Sequence, residues 1–251
     1  MTMSTIDARG AVILVLGGVS TRPVANLDGS TPLERASLPN IDRIAGEGAS
    51  GMLDLLAAPA GFSLPGLVAA YAGCPFEQST QWSFHAEFNV SGAFMSDSAD
   101  ACSALEAVGL DRLDPASPSD LDAMGCAVVE ALDAYPFVLV HIASVGECAL
   151  QRDWVACIEV LERIDGQLVA PLLDAGPRVV AITTGWSMLP VSGKPLFDLV
   201  PVAMWGQGIR PDGTSRFTEA ECSRGALDRL QPRDLPFLLL DQLGLVKKFE
   251  P

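Results

Sequence analysis

Ser63 is the side chain of this sequence whose surroundings most invite a chemical reading. It stands in the turn Gly61-Phe62-Ser63-Leu64-Pro65-Gly66, which leads into an apolar helix running toward Cys74. A serine hydroxyl becomes a nucleophile only with a base or a metal to activate it, and neither lies nearby in sequence. The competing reading of Ser63 is a helix cap. Cys148 could act as a thiol nucleophile, but it lacks a paired histidine and reads as an ordinary buried cysteine. The two histidines, His85 and His141, are far apart, and His141 lies inside an apolar run, FVLVHI, as a hydrogen-bonded core residue would. His85 falls in the least legible stretch of the chain. Cys74, Cys102, Cys126, Cys148, Cys157 and Cys222 form no CxxC and no close pairing with histidine, so zinc-site spacing is absent and reduced thiols are expected. Gly206-Gln207-Gly208 reads as a tight turn after a strand, with no GK[ST] or GxGxxG to make it a phosphate loop.

The elements that must position such groups follow a β/α alternation. Ala11–Leu16 is an unbroken apolar run, as expected for a strand covered on both faces. In an open α/β sheet, ligands bind beyond the carboxyl ends of the strands. Here that place is held by Gly17, Gly18, Val19 and Ser20, none of them an acid, a base or a metal ligand. A helix is expected from about Asn40, with Asn40 as cap, and a strand over 51–56. A short strand is expected at Glu87–Val90 and a helix over Asp100–Val108. Asp111–Ser119 reads as a Pro/Ser/Asp loop. Ser119 then caps a helix with Leu121, Met124, Val128 and Leu132 inward. Strands are expected at Phe137–Ile142, Val179–Thr183 and Val200–Trp205, and helices over Asp153–Leu173 and Leu235–Leu243. Glu34, Arg35 and Asp42 are expected to form ion pairs that fix the loop after the first strand. This alternation implies an α/β fold, a three-layer α/β/α sandwich with a mainly parallel sheet.

The bulk composition excludes several classes. Of 251 residues, 49% are hydrophobic and 19% charged, a globular balance rather than a disordered one. No apolar run approaches the ~20 residues needed to cross a bilayer, and the first apolar run, ending in glycines, reads as a strand rather than a signal peptide. The formal net charge of -15 repels phosphate backbones, so nucleic acid is not an expected partner. A cytoplasmic location is expected.

Several phrases taken together carry a resemblance. TRP, LDGSTPLERASLPNIDRIAGEGASGMLD, FVLVHI, EVLERID, VPVAMWGQGIRPDG, CSRGAL and LGLVKKF occur in that order. They resemble the archaeal-type cofactor-independent phosphoglycerate mutases of the alkaline phosphatase superfamily, over about residues 11–75 and 136–250. The resemblance implies an alkaline-phosphatase-like core and a chemistry of two divalent cations, held by Asp and His, beside a phosphoryl-accepting serine. It implies that the serine is Ser63, with Leu64 in place of the adjacent Asp. The implied metal-ligand positions hold Gly17, Gly146, Leu150, Gly185 and Trp186, with the last near Pro195, and no histidine occurs after His141. Glu147 and Asp198 are the acids left close to those positions. With Asp153 they could hold a single Mg²⁺ or Ca²⁺. Trp186 could fill the space of the absent metals or floor an apolar pocket.

The family also carries a whole inserted domain where this chain has only the stretch before FVLVHI. Residues 76–118 therefore read as its shortened remnant within a single core domain spanning 1–251. These departures imply a phosphoglycerate-mutase-like protein that has lost its dinuclear site and metal-dependent phosphotransfer. It would need no cofactor and would serve as a binding, structural or regulatory subunit. A homo-oligomer or protein partner would cover the surface exposed by the missing domain. The alternative is a metal-independent hydrolase or transferase using Ser63 on a small phosphorylated, sulfonated or ester substrate.

Overall fold

The computed structural model describes residues 10–55, 63–75, 82–115, 117 and 120–246. In chain order, β1 (Ala11–Leu16), β2 (Ser20–Thr21), α1 (Pro32–Arg35), α2 (Pro39–Gly46) and β3 (Ala49–Asp54) come first. Next are α3 (Leu64–Ala70), α4 (Phe84–Phe88), β4 (Gly92–Ser96), α5 (Ala99–Ala107), β5 (Asp111–Arg112) and α6 (Leu121–Ala131). Then follow β6 (Phe137–Ile142), α7 (Ser144–Leu150), α8 (Trp154–Ile164), α9 (Ala170–Asp174), β7 (Val179–Thr184), β8 (Ser187–Leu189) and β9 (Lys194–Leu196). The chain closes with β10 (Leu199–Gly206), α10 (Glu219–Cys222), β11 (Asp228–Leu230) and α11 (Asp234–Gln242).

Eight strands make one sheet in the order β11-β3-β10-β7-β1-β6-β4-β5, and β2-β8-β9 make a small second sheet. In the large sheet every pairing is parallel except those of β10 with β3 and β7. The sheet is covered on both faces, and β1 shows how. All six of its residues are buried. Ala11, Ile13 and Val15 enter one apolar cluster with residues of α3, α5 and α11. Val12, Leu14 and Leu16 enter the other, with residues of α2, α6 and α9. Side chains that alternate along a strand thus feed two cores, the three-layer α/β/α arrangement the alternation implies. No helix among the described residues is long and apolar enough to cross a membrane.

Several local expectations need correction. Residues 87–90 are not a strand. Phe84–Phe88 is helical with Ser83 as its cap, and the strand is GAFMS at 92–96, fully buried and paired with β6. Its glycine, alanine and serine, with no β-branched residue beside them, hide it from a propensity reading. The loop expected over Asp111–Ser119 begins with β5, a two-residue edge strand on β4. Ser119 lies outside the described residues, and Asp120 caps α6 by accepting from the Asp122 and Ala123 N–H groups.

The ion pairs around the loop after β1 also differ. Glu34 closes a capping box with Thr31, Arg35 reaches Asp28 at 3.8 Å, and Asp42 pairs with Arg216 at 3.4 Å while accepting from the Phe217 N–H. Asn40 is not a cap either. The N-cap of α2 is Leu38, which offers no side-chain oxygen. The acceptor is Asp165, buried and 125 positions later in the chain, whose Oδ1 takes the N–H groups of Asn40 (3.0 Å) and Ile41 (2.7 Å) and whose Oδ2 takes Asn40 Nδ2 (2.8 Å). Asp165 begins a π-helical turn, 165–169, between α8 and α9. Such turns re-aim one side chain of an otherwise continuous helix. Asp165→Ala leaves buried N–H donors unpaired and is expected to cost about 2 kcal/mol in urea unfolding. A change within about 0.5 kcal/mol would mean that water replaces the carboxylate.

Candidate functional site

The tips of β1, β6 and β7 are tied beyond the regular ladder. Gly17 N–H donates to Ile142 O at 2.7 Å and Gly185 N–H to Leu16 O at 2.5 Å. Buried Tyr71 donates its hydroxyl to the carbonyls of Thr184 (3.1 Å) and Gly185 (3.2 Å). Glu219 clamps the loop after β1, accepting from Ser20 Oγ, Thr21 N–H and Thr31 Oγ1. Burial raises the Glu219 carboxyl above its usual range, against those three donors.

Trp186 sits where these tips converge, between β7 and β8, and β8 pairs with β2 from the loop after β1. A Cβ built on Gly18 would lie 1.7 Å from the indole Nε1. One on Gly146 would meet Gly18 N at 2.7 Å and Trp186 Cζ2 at 3.0 Å, and one on Gly17 would meet Gly146 N at 2.8 Å. At Gly185 the nearest atom would be Leu16 O at 3.4 Å, an ordinary contact. The indole is 5% exposed. Gly18, Gly146 and Trp186 therefore form one packing unit in which the ring uses the space that side chains at the two glycines would need, while a side chain at Gly17 would meet the backbone of Ile142, Ala143 and Gly146.

One edge of the indole faces a cleft of about 450 Å³ that also touches Leu64, Val68, Asp100, His141, Glu147 and Leu150. Glu147 and Leu150 are exposed on α7. Asp97, just past β4, accepts from the Ala143 (2.5 Å) and Ser144 (3.0 Å) N–H groups and so caps α7, which carries Glu147. His141 is 2% exposed, with Nδ1 2.9 Å from Ser96 Oγ, while its Nε2 has no hydrogen-bond partner. Burial lowers its pKa to about 4, opposed by Asp97, so the ring is neutral at neutral pH.

Asp97, Ser96 and Ser98 escape a sequence reading because the strand that ends at Ser96 does. Had GAFMS been read as a strand, SDS would have stood at its carboxyl end, where site residues are sought.

The other candidates lie elsewhere. Ser63 is exposed, and its Oγ accepts from Gly66 N–H at 3.2 Å as the N-cap of α3. Asp153 caps α8 through the Ala156 N–H. Asp198 faces Arg22 at 3.9 Å and accepts from the Leu199 N–H. Cys148 is half-buried, and burial, with Asp153 and Glu147 adding repulsion, pushes its thiol up, away from thiolate chemistry. His85 is exposed on α4.

The residues at the tips of β1, β6 and β7 do not fit a pair of divalent cations. The positions hold glycines, a leucine and an indole, which offer no anionic or imidazole donor. Among the described residues, no group of three or more His, Cys, Asp or Glu side chains could hold a metal ion. The cleft lining contains two carboxylates and no Lys or Arg, so a phosphoryl group would meet like charge there. Gly18→Ala should cost about 2 to 3 kcal/mol by overpacking, Gly185→Ala less than about 1, and Trp186→Ala about 3 to 5 through the cavity it leaves. Because the two sites share one space, Gly18→Ala/Trp186→Ala should cost clearly less than the sum of its parts in denaturant unfolding. Simple additivity would contradict the shared packing.

No family model matches the chain. It is 26% identical over 147 residues to the 2,3-bisphosphoglycerate-independent phosphoglycerate mutase of Methanococcus maripaludis, covering 58% of this chain and 36% of that protein. It is 33% identical over 125 residues to the corresponding mutase 1 of Methanocaldococcus jannaschii, covering 49% and 30%. The chain thus matches about a third of the length of these curated relatives. Among solved structures, the PH0037 protein from Pyrococcus horikoshii superposes with a TM-score of 0.87 at 22% identity, covering 98% of this chain and all of the other. The cofactor-independent phosphoglycerate mutase from Thermoplasma acidophilum gives 0.68 at 15% identity, covering 93% and 99%. Alkaline phosphatase from the Antarctic bacterium TAB5 gives 0.56 at 9%, covering 96% and 99%. The chain is therefore similar in sequence, over about half its length, to archaeal 2,3-bisphosphoglycerate-independent phosphoglycerate mutases, and its core is alkaline-phosphatase-like.

Proposed function

We propose that this phosphoglycerate-mutase-like chain does not carry out metal-dependent phosphoryl transfer and acts as a binding, structural or regulatory component. One observation carries the reading. Trp186 and Gly146, two of the positions where the family resemblance would put metal ligands, pack against each other and against Gly18, with the indole buried among them. Two cations there would have to offset the charge of a transferring phosphoryl group and lower the pKa of the accepting serine. Glycine, leucine and tryptophan cannot hold them. Ser63, the residue at the nucleophile position, is engaged as the cap of α3.

On this reading the shortened segment 76–118 supplies one wall of the cleft through Ser98, Asp100 and Ala101. Metal analysis of the purified chain, paired with an assay on p-nitrophenyl phosphate in Mn²⁺, Mg²⁺ or Zn²⁺, tests the reading. Substoichiometric metal and turnover at the level of the buffer are expected. Two equivalents of divalent metal per chain together with phosphatase turnover would overturn it.

A further inference from the structure

A second concavity, of about 600 Å³, shares no lining residue with the first. The loop after β1, the turn after β8 and the link between α7 and α8 enclose it. Its charged side chains are Arg22 and Arg152, and no carboxylate lines it. In a chain with 31 acidic and 16 basic residues, a concavity lined only by positive charge is against the prevailing field.

Arg152 has φ +59 as the left-handed residue that ends α7, its N–H donating to Ala149 O at 2.9 Å and the Asp153 N–H to Cys148 O at 3.0 Å, which fixes the backbone from which its side chain leaves. Its Nη1 donates to Val191 O at 3.2 Å, which fixes the guanidinium while leaving it other N–H donors, and its stem lies against Gly193. The Arg22 side chain is 68% exposed, and its contact with Asp198 is 3.9 Å, too long for a hydrogen bond. A pair of that kind contributes little and is readily exchanged. The remaining walls are largely apolar, among them Leu189 and Val191, and Val191 is 89% exposed.

We propose that this groove binds a small amphipathic oxyanion, a phosphate or carboxylate on an apolar or aromatic body. The oxyanion lies between Arg22 and Arg152, and the body rests on Leu189 and Val191. Planar guanidinium forks suit such a group, since each can present two parallel N–H donors. The site is independent of whether the Trp186 cleft has lost its metals.

Titration calorimetry on the full chain tests this with phenyl phosphate, benzoate, inorganic phosphate and benzylamine. Phenyl phosphate or benzoate is expected to bind, and the tighter of the two identifies the headgroup. Inorganic phosphate should bind at least about tenfold more weakly, and benzylamine not at all. Arg22→Gln and Arg152→Asn, the latter keeping a residue that tolerates φ > 0, should each weaken binding about tenfold or more. Asp198→Asn should tighten it by releasing Arg22. Arg163→Gln, exposed on α8, is the charge-matched control and should change nothing. Melting curves show which variants are folded, and if one arginine variant fails to fold the other still decides. Absence of binding by both aryl anions, equal binding of inorganic phosphate, or affinity unchanged in a folded arginine variant would overturn the assignment.

Discussion

The contact between the Trp186 indole and the side-chain-free backbone of Gly18 and Gly146 governs what the tips of β1, β6 and β7 can do. Protein interiors leave few voids, and here a single large ring fills the space beside the strand ends, which it can do only because the facing residues lack a Cβ. The dependence is mutual. The glycines admit the ring, and the ring then closes the space to any side chain at Gly18 or Gly146. A side chain at either glycine therefore requires the indole to move.

Around that packing unit, carboxylates hold the scaffold in place. Asp165 caps α2 from across the chain, Asp97 caps α7, and Glu219 ties the loop after β1 to α10. Each accepts backbone N–H groups that would otherwise be orphaned at a helix end or loop. Several carboxylates of this acidic chain are thus already committed to donors within the fold, and among the described residues no group of three or more His, Cys, Asp or Glu could hold a metal ion. The two concavities inherit different fields from this arrangement. The cleft at Trp186 is lined by Asp100 and Glu147, whereas the second groove presents Arg22 and Arg152.

Much of the fold is legible in the sequence, because strands buried on both faces write themselves as continuous apolar runs. Phe137–Ile142 and Ala11–Leu16 are of that kind. The strand at Gly92–Ser96 is not, since its glycine, alanine and serine are chosen for close packing rather than for β propensity. The long-range cap by Asp165 is equally hidden, because it joins residues 125 positions apart and no local pattern records it. At the site, the glycines and Trp186 can be named from sequence through the family resemblance. Their mutual contact, the role of Asp97 and the unpartnered Nε2 of His141 need coordinates.

We propose that the indole of Trp186 occupies the space that two cations would need, and anomalous diffraction from crystals soaked in Mn²⁺ with vanadate tests this most directly. The account predicts ordered indole density against Gly18 and Gly146 and no manganese peak between the tips of β1, β6 and β7. Manganese peaks at those tips, with the Trp186 ring swung aside, would contradict it.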